Sequence, residues 1–267
     1  MRKKYFSVCR ISFIQELAYR SKFVVERLQS VLQVFLIFFL WDSVFSDPSR
    51  EVFGYDRAKI LTYVFGLLIV KAIVASTKAS DVSGIISSGE LTNYLLKPIG
   101  FVKYWFFRDI SARGIHTAFA VVEAAILFVI LKPPFFLQTN LMSVVGFLVL
   151  LVMAMIIFFL MLTLVSFIPF WLVEQTWPPI FLFLSISEVL SGAVFPLDVF
   201  PEAIQKVLYL SPFPYLIFIP IQVYLGKVVG MELIRSLLTA GFWMVGLMIA
   251  VSWVWQRGLV HYRAEGR

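Results

Sequence analysis

A chain of 267 residues that is 60% hydrophobic and 15% charged, with a mean hydropathy of +0.90, has too little polar surface to cover a globule in water; soluble domains carry about 25% charged residues. One cysteine, Cys9, excludes an intrachain disulfide and a multi-Cys metal cluster, and two distant histidines, His116 and His261, leave almost no material for a zinc site. The fold class predicted is an all-α integral membrane protein, and the net charge of +7 is read as an orientation signal, with no nucleic-acid partner.

Taken in chain order, residues 1–27 come first. Phe6, Phe13, Leu17 and Val24 recur at helical spacings among Lys and Arg, which predicts a helix lying flat on an anionic leaflet. Arg10, Glu16 and Arg20 interrupt the first apolar stretch, so it is not read as a cleavable signal peptide. Six stretches then approach the roughly 20 apolar residues that a bilayer crossing needs. They fall at about 28–46, 60–77, 114–131, 141–173, 177–195 and 236–255, with Pro178 and Pro179 in the first turn of the fifth, where a missing N–H costs little.

Residues 213–229 (FPYLIFIPIQVYLGKVV) are apolar enough to enter lipid, but Pro214 and Pro220 interrupt them. Broken backbone at membrane depth must be shielded by protein, so this segment is read as re-entrant or interfacial, with a seventh span as the other option. Six spans put both termini on one side. The segment before the first span, the loop 78–113 and the tail carry seven, five and three basic residues; the opposite loops carry seven between them. The positive-inside rule therefore places both termini in the cytoplasm.

No phosphate-binding Gly-x-x-x-x-Gly-Lys-Ser/Thr, no Gly-x-Ser-x-Gly and no His-Glu-x-x-His occurs, so the chain is not read as an enzyme and no catalytic or metal-binding residue is assigned. The most informative polar segment is the loop after the second span. Ser87 followed by Glu90 matches a capping box, Leu91, Tyr94 and Leu95 share a face, and Pro98 stops the helix at Lys97. A short amphipathic helix is the expectation, its apolar stripe either docking on a partner or resting on the lipid surface or on the chain's own bundle. The external loop 196–235 is the second. After Ser191-Gly192 it is punctuated by Pro196, Pro201, Pro212 and Pro214, with a short helix from Glu202 to Leu210, and it is expected to fold back onto the mouth of the bundle.

Three segments, RISFIQELAYRSKFVVER, ISSGELTNYLLKPI and LSGAVFPLDVFPEAIQKVLYLSPFPYLIFIPIQVYLG, resemble the ABC-2 type transporter permeases, in particular the bacterial six-span branch of about 260 residues. The resemblance implies a single transmembrane domain over residues 1–267 in the bacterial cytoplasmic (inner) membrane. It makes Ser87, Glu90, Leu91, Tyr94, Leu95 and Lys97 the coupling helix that docks on an ABC ATPase subunit. It makes residues 1–27 the interfacial connecting helix, and Gly192, Pro196, Pro201, Pro212 and Pro214 the external gate. It further implies a second permease chain, identical or homologous, export as the direction, and ATP-Mg bound on the ATPase with no cofactor in this chain.

Charged residues inside spans are costly and tend to face the bundle interior. Glu123 and Glu188 could line a cation-attracting path, which would also suit an ion- or proton-coupled secondary transporter. The plainer alternative is that Lys71 reaches the interface and one Glu bonds a neighbouring span. Internal inverted repeats, common among secondary transporters, are not seen between the two halves.

Overall fold

The computed structural model describes residues 8–14, 20–45, 47 and 51–262. Residues 8–14 are helical (α1) and are followed by α2 (Arg20–Val44), α3 (Arg57–Val74), α4 (Asp81–Ser87), α5 (Leu91–Leu95), α6 (Phe101–Leu131), α7 (Leu141–Val165), α8 (Pro178–Leu190), α9 (Glu202–Tyr209), α10 (Phe218–Tyr224) and α11 (Gly230–His261). Among the described residues there is no strand, only an isolated antiparallel bridge between Val52 and Tyr55.

Local chemistry sets the helix starts. Asp56 caps α3 by accepting the Lys59 N–H at 2.7 Å, Asn140 caps α7 by accepting from Met142 and Ser143, and Pro178 opens α8. Lys132, in the left-handed region at φ 44, ends α6 just before Pro133 and Pro134. Among the described residues four helices are long and apolar enough to cross a membrane: Arg27–Val44, Phe101–Leu131, Leu141–Phe170 and Gly230–His261. The 18-residue α3 carries Arg57, Lys59 and Lys71, and the 13-residue α8, roughly 20 Å long, is shorter than the hydrocarbon core of about 30 Å.

Contacts between the helix ends define two poles. At one, the Tyr262 hydroxyl donates to the Gly89 carbonyl at 2.6 Å, the Phe101 and Trp255 rings stack at 4.7 Å, and Ser83 donates to the Thr176 carbonyl at 3.1 Å. At the other, the Phe136 N–H reaches Thr62 at 2.8 Å, Gln138 reaches the Tyr224 carbonyl at 2.9 Å and Lys227 reaches the Phe53 carbonyl at 3.0 Å. We call them the α5 pole and the Asp198 pole. The chain runs between them along α2, α3, α6 and α7, then through α8 with residues 191–198, and last along α11. α3 and the charge-free α7 form the centre, with Tyr63, Val64, Leu150, Ala154 and Ile157 wholly buried. The outer faces of α2, α6 and α11 expose Leu36, Val129, Leu238 and Phe242, each about 70% accessible, a surface made for lipid.

Several boundaries differ from the sequence reading. α2 is already helical at Arg20, so no break separates an interfacial helix from the first span at residue 27. Within 1–27, residues 1–7 and 15–19 lie outside the described residues. α1 exposes Ile11, Phe13 and Ile14, and the Cys9 thiol donates to the Phe107 carbonyl at 3.3 Å. The third span is longer than read: α6 starts at Phe101 and not at Gly114, so the second half of the loop 78–113 is helix. α8 stops at Leu190, short of Phe195, and α11 runs from Gly230 to His261, outlasting 236–255 at both ends. Residues 213–229 hold a 3-10 turn and the seven-residue α10, roughly 10 Å long, too short to cross a bilayer and almost wholly buried.

At the α5 pole, α11 packs so closely on Phe170 that a Cβ at Gly258 would lie 2.3 Å from its ring, whereas a Cβ at Gly246 would meet nothing within 4 Å. Gly258→Ala is expected to destabilise by about 1–3 kcal/mol. Gly246→Ala should be neutral or slightly stabilising through helix propensity. Thermal melting of the two variants in the same detergent decides this; equal melting temperatures would show that Phe170 moves aside freely.

Candidate functional site

The α4–α5 segment is two short helices where the sequence suggested one. Ser88 and Gly89, the latter at φ 79, end α4, and the left-handed turn admits glycine without strain. The capping box does not form. The Ser87 hydroxyl donates back to the Gly84 carbonyl at 3.0 Å, and Glu90, at the start of α5, makes no side-chain cap. The apolar stripe is also redistributed: Leu91 is fully buried, while Leu95 is 45% and Leu96 81% exposed beside Lys97. Leu96, missed by the helical-face reading, is the most exposed apolar group of the loop.

α5 is fastened to two long helices. The Tyr94 ring packs against Phe101, Tyr104 and Trp105 of α6 at 5.5–6.2 Å between centroids, and the Lys97 ammonium lies 4.2 Å from the Tyr94 ring centre. Burial pushes the Tyr94 hydroxyl above its ordinary pKa, helped by Tyr104 and opposed by Arg108. From the end of α11, the Tyr262 oxygen lies against both the Gly89 carbonyl and Thr92.

Behind α5 lies an ion pair that sequence reasoning missed. Arg113 Nε donates to Asp109 Oδ2 at 2.5 Å, with both side chains almost inaccessible. Arg113 Nη1 donates to the carbonyls of Ile73 and Val74, the last residues of α3, and Asp109 Oδ1 accepts the Lys78 N–H at 2.7 Å. Sequence order alone presents Arg113 as one of the basic residues of the loop 78–113. The four-residue spacing of an acid and a base was the available signal.

Glu123 and Glu188 are each engaged by a base. Lys71 of α3 bonds Glu188 of α8, and Gln33 of α2 donates to the same carboxylate oxygen at 3.0 Å. Arg27 of α2 lies 3.6 Å from Glu123 and donates to His116 Nδ1 at 3.2 Å, which must accept because a guanidinium only donates. The two carboxylates meet different turns of α2 and do not converge on one site. Between α2, α3 and α8 is a cavity of about 800 Å³ lined by Gln33, Leu36, Leu68, Lys71 and Glu188, with Lys78 towards the α5 pole; Glu123 does not line it.

The expected gate residues sit along the chain that returns from α8. Gly192, at φ 83, makes a turn so tight that a Cβ would lie 2.9 Å from Phe218 and 3.0 Å from the Tyr63 hydroxyl. Tyr63 donates to the Gly192 carbonyl at 2.7 Å, and the Phe218 N–H donates to the Ser191 carbonyl at 3.0 Å. Pro196 and Pro201 precede the short helices at 197–199 and α9; Pro212 precedes and Pro214 lies within the 3-10 turn that leads into α10.

Closing this region at its pole is a polar cluster that pattern reading did not assemble. Asp198 Oδ2 accepts from the Tyr55 hydroxyl at 2.6 Å, Gln222 Nε2 at 2.9 Å and Lys227 Nζ at 3.0 Å. The ammonium also sits 3.5 Å from the centre of the Tyr55 ring, a cation–π contact. Burial, then the Asp198 charge, raises the Tyr55 pKa, while burial lowers that of Lys227 against the pull of Asp198. Asp198→Ala strands several donors and is expected to cost about 1–3 kcal/mol for each that water cannot reach. Tyr55→Phe removes the bond donated to Asp198 and the one accepted from Gln222, but Gln222 keeps Asp198 as acceptor and no donor is stranded, so the cost is about 1 kcal/mol. Melting in detergent should rank wild type above Tyr55→Phe above Asp198→Ala; any other order would mean that the carboxylate does not organise the cluster.

Among the described residues no group of His, Cys, Asp and Glu is placed to hold a metal ion. Compared with known proteins, residues 31–266 match the family model described as ABC-2 family transporter protein. No curated protein matches the chain.

Proposed function

The chain belongs to the ABC-2 transporter family, and from that premise we propose that it is the permease subunit of an ABC exporter whose ATP is hydrolysed by a separate subunit. The family subunit is a membrane component and not itself an ATPase, and its apolar helices make it a multi-pass membrane protein. The working unit in this reading is two permease chains, identical or homologous, with two ATPases. Six crossings, counting α3 and α8 with residues 191–198, leave both termini in the cytoplasm of a bacterial cell, with the α5 pole inward. Favouring that orientation, Lys78, Lys97, Lys103, Arg108 and Arg257 gather at this pole.

The observation that carries the reading is the α5 surface. Leu95 and Leu96 are exposed beside Glu90 and Lys97 on an element pinned to α6 by Tyr94 and to α11 by Tyr262. A surface of this kind suits a groove on an ATPase, because exposed apolar groups gain by burial and the anchored helix passes on the load. ATP-driven closure of the ATPase pair would draw two such surfaces together and bias the bundles towards the outward-open arrangement. The Gly192–Pro214 region would then form the external gate. The reading as an ion-coupled secondary transporter requires a carboxylate free to titrate along the path. Lys71 and Arg27 already engage Glu188 and Glu123.

Leu95→Asp/Leu96→Asp should lower the affinity for the ATPase subunit by about tenfold or more, equivalent to 1.4 kcal/mol. The melting temperature of the isolated chain should stay unchanged, since both side chains are exposed. Leu91→Asp should instead lower the melting temperature, because Leu91 is buried. Undiminished co-purification of the ATPase with the double variant would refute docking at α5.

A further inference from the structure

We propose that Asp109 and Arg113 are positioning residues that carry a displacement of the α5 surface into α3 and so to the turn at Gly192. The inference rests on the docking of an ATPase at α5. A load on α5 enters α6 through Tyr94 and its aromatic neighbours, one to three turns before Asp109 on the same helix. Most of the remaining α3–α6 interface is apolar, and apolar faces slide past one another with little directional resistance.

The buried pair changes that contact from sliding to fixed. The last carbonyls of a helix have no partner within it. Arg113 supplies one to Ile73 and Val74 from a planar, rigid donor fork. Asp109 holds that fork with one oxygen and, with the other, the N–H of Lys78, three residues before α4. One carboxylate on α6 therefore fixes the end of α3 and the approach to α4 together. A tilt of α6 cannot leave α3 behind without breaking hydrogen bonds in a dry interior, where unpaired partners are costly.

α3 passes the displacement on. Less than one turn before its end it bonds Glu188 through Lys71, and about three turns before its end it bonds the Gly192 carbonyl through Tyr63. Both contacts are to the same segment, α8 and its exit turn. A route of ring contacts, hydrogen bonds to backbone and one ion pair thus runs from α5 through α6 and α3 to the proposed gate.

The test uses the full chain in complex with its ATPase subunit in nanodiscs, with Cys9→Ser and Val194→Cys as background. Val194 is partly exposed beside the Gly192 turn, so its labelling by a water-soluble maleimide reports that turn. The background complex should label at rates that differ severalfold between the nucleotide-free and the ATP–vanadate-trapped states. Asp109→Leu/Arg113→Met replaces the buried pair by apolar groups of similar volume, a change that folds tolerate better than removal of one partner. It should preserve co-purification and ATP hydrolysis while the nucleotide-dependent change at Val194→Cys disappears. Arg113→Lys keeps the charge without the fork and should reduce the change in part, which guards against a double variant that fails to fold. A full response in both variants, or a background complex that hydrolyses ATP without any response, overturns the route. Undiminished co-purification of the ATPase when Leu95→Asp/Leu96→Asp is added to the background would count against docking at α5 instead.

Discussion

One carboxylate, Asp109, is the constraint on which the α5 pole is built. A charge in a dry interior is stable only when paired and hydrogen-bonded, and the end of a buried helix leaves carbonyls that need donors. Arg113 answers both demands at once, since its fork meets Asp109 on one side and Ile73 and Val74 on the other. With those groups satisfied, the corner between α3 and α4 can be packed away from water, as Val74 and Ala79 are. A pair of apolar residues could fill the same volume, but it could not fix the direction of approach of α6, α3 and the segment leading into α4.

The same rule governs the rest of the bundle. These charged groups leave the surface in company: Lys71 with Glu188 and Gln33, Arg27 with Glu123 and His116, Asp198 with Tyr55, Gln222 and Lys227. Each set joins segments distant in sequence and so ties separate helices and loops to one another. α7, with no charge to satisfy, is free to occupy the centre, and it is lined on several sides by α3, α10 and α11. The apolar groups that remain outside belong to α2, α6 and α11, where lipid replaces protein as the neighbour.

Much of this organisation was legible in residue order. The charge-free run from Leu141 and the proline pair at Pro178 each have one strong physical reading, and α7 and α8 agree with it; 213–229 left two readings open, a re-entrant or interfacial segment and a seventh span, and its helix α10 is short and buried. Reading failed where composition and geometry part company. Lys103, Arg108, Asp109 and Arg113 made 101–113 look like an aqueous loop, but two of these charges neutralise each other inside the protein, so α6 begins at Phe101. The Ser87–Glu90 spacing fitted a cap, yet Gly89 turns left-handed between them and ends α4. Periodicity put Leu91, Tyr94 and Leu95 on one face without revealing that Leu91 would point into the protein and Leu96 away from it.

Composition and hydropathy by themselves determined that the chain lives in a bilayer, roughly where its apolar crossings lie and which loops collect positive charge. Those properties are sums over neighbouring residues, and solvent reads them before any fold exists. Only the tertiary structure decided which charges are partners, which leucine of the α5 segment is left outside, and that the exit turn of α8 is tied to Tyr63 and its far end to Tyr55. These depend on side chains separated by up to more than a hundred positions arriving within 3 Å of each other, a distance that only packing sets.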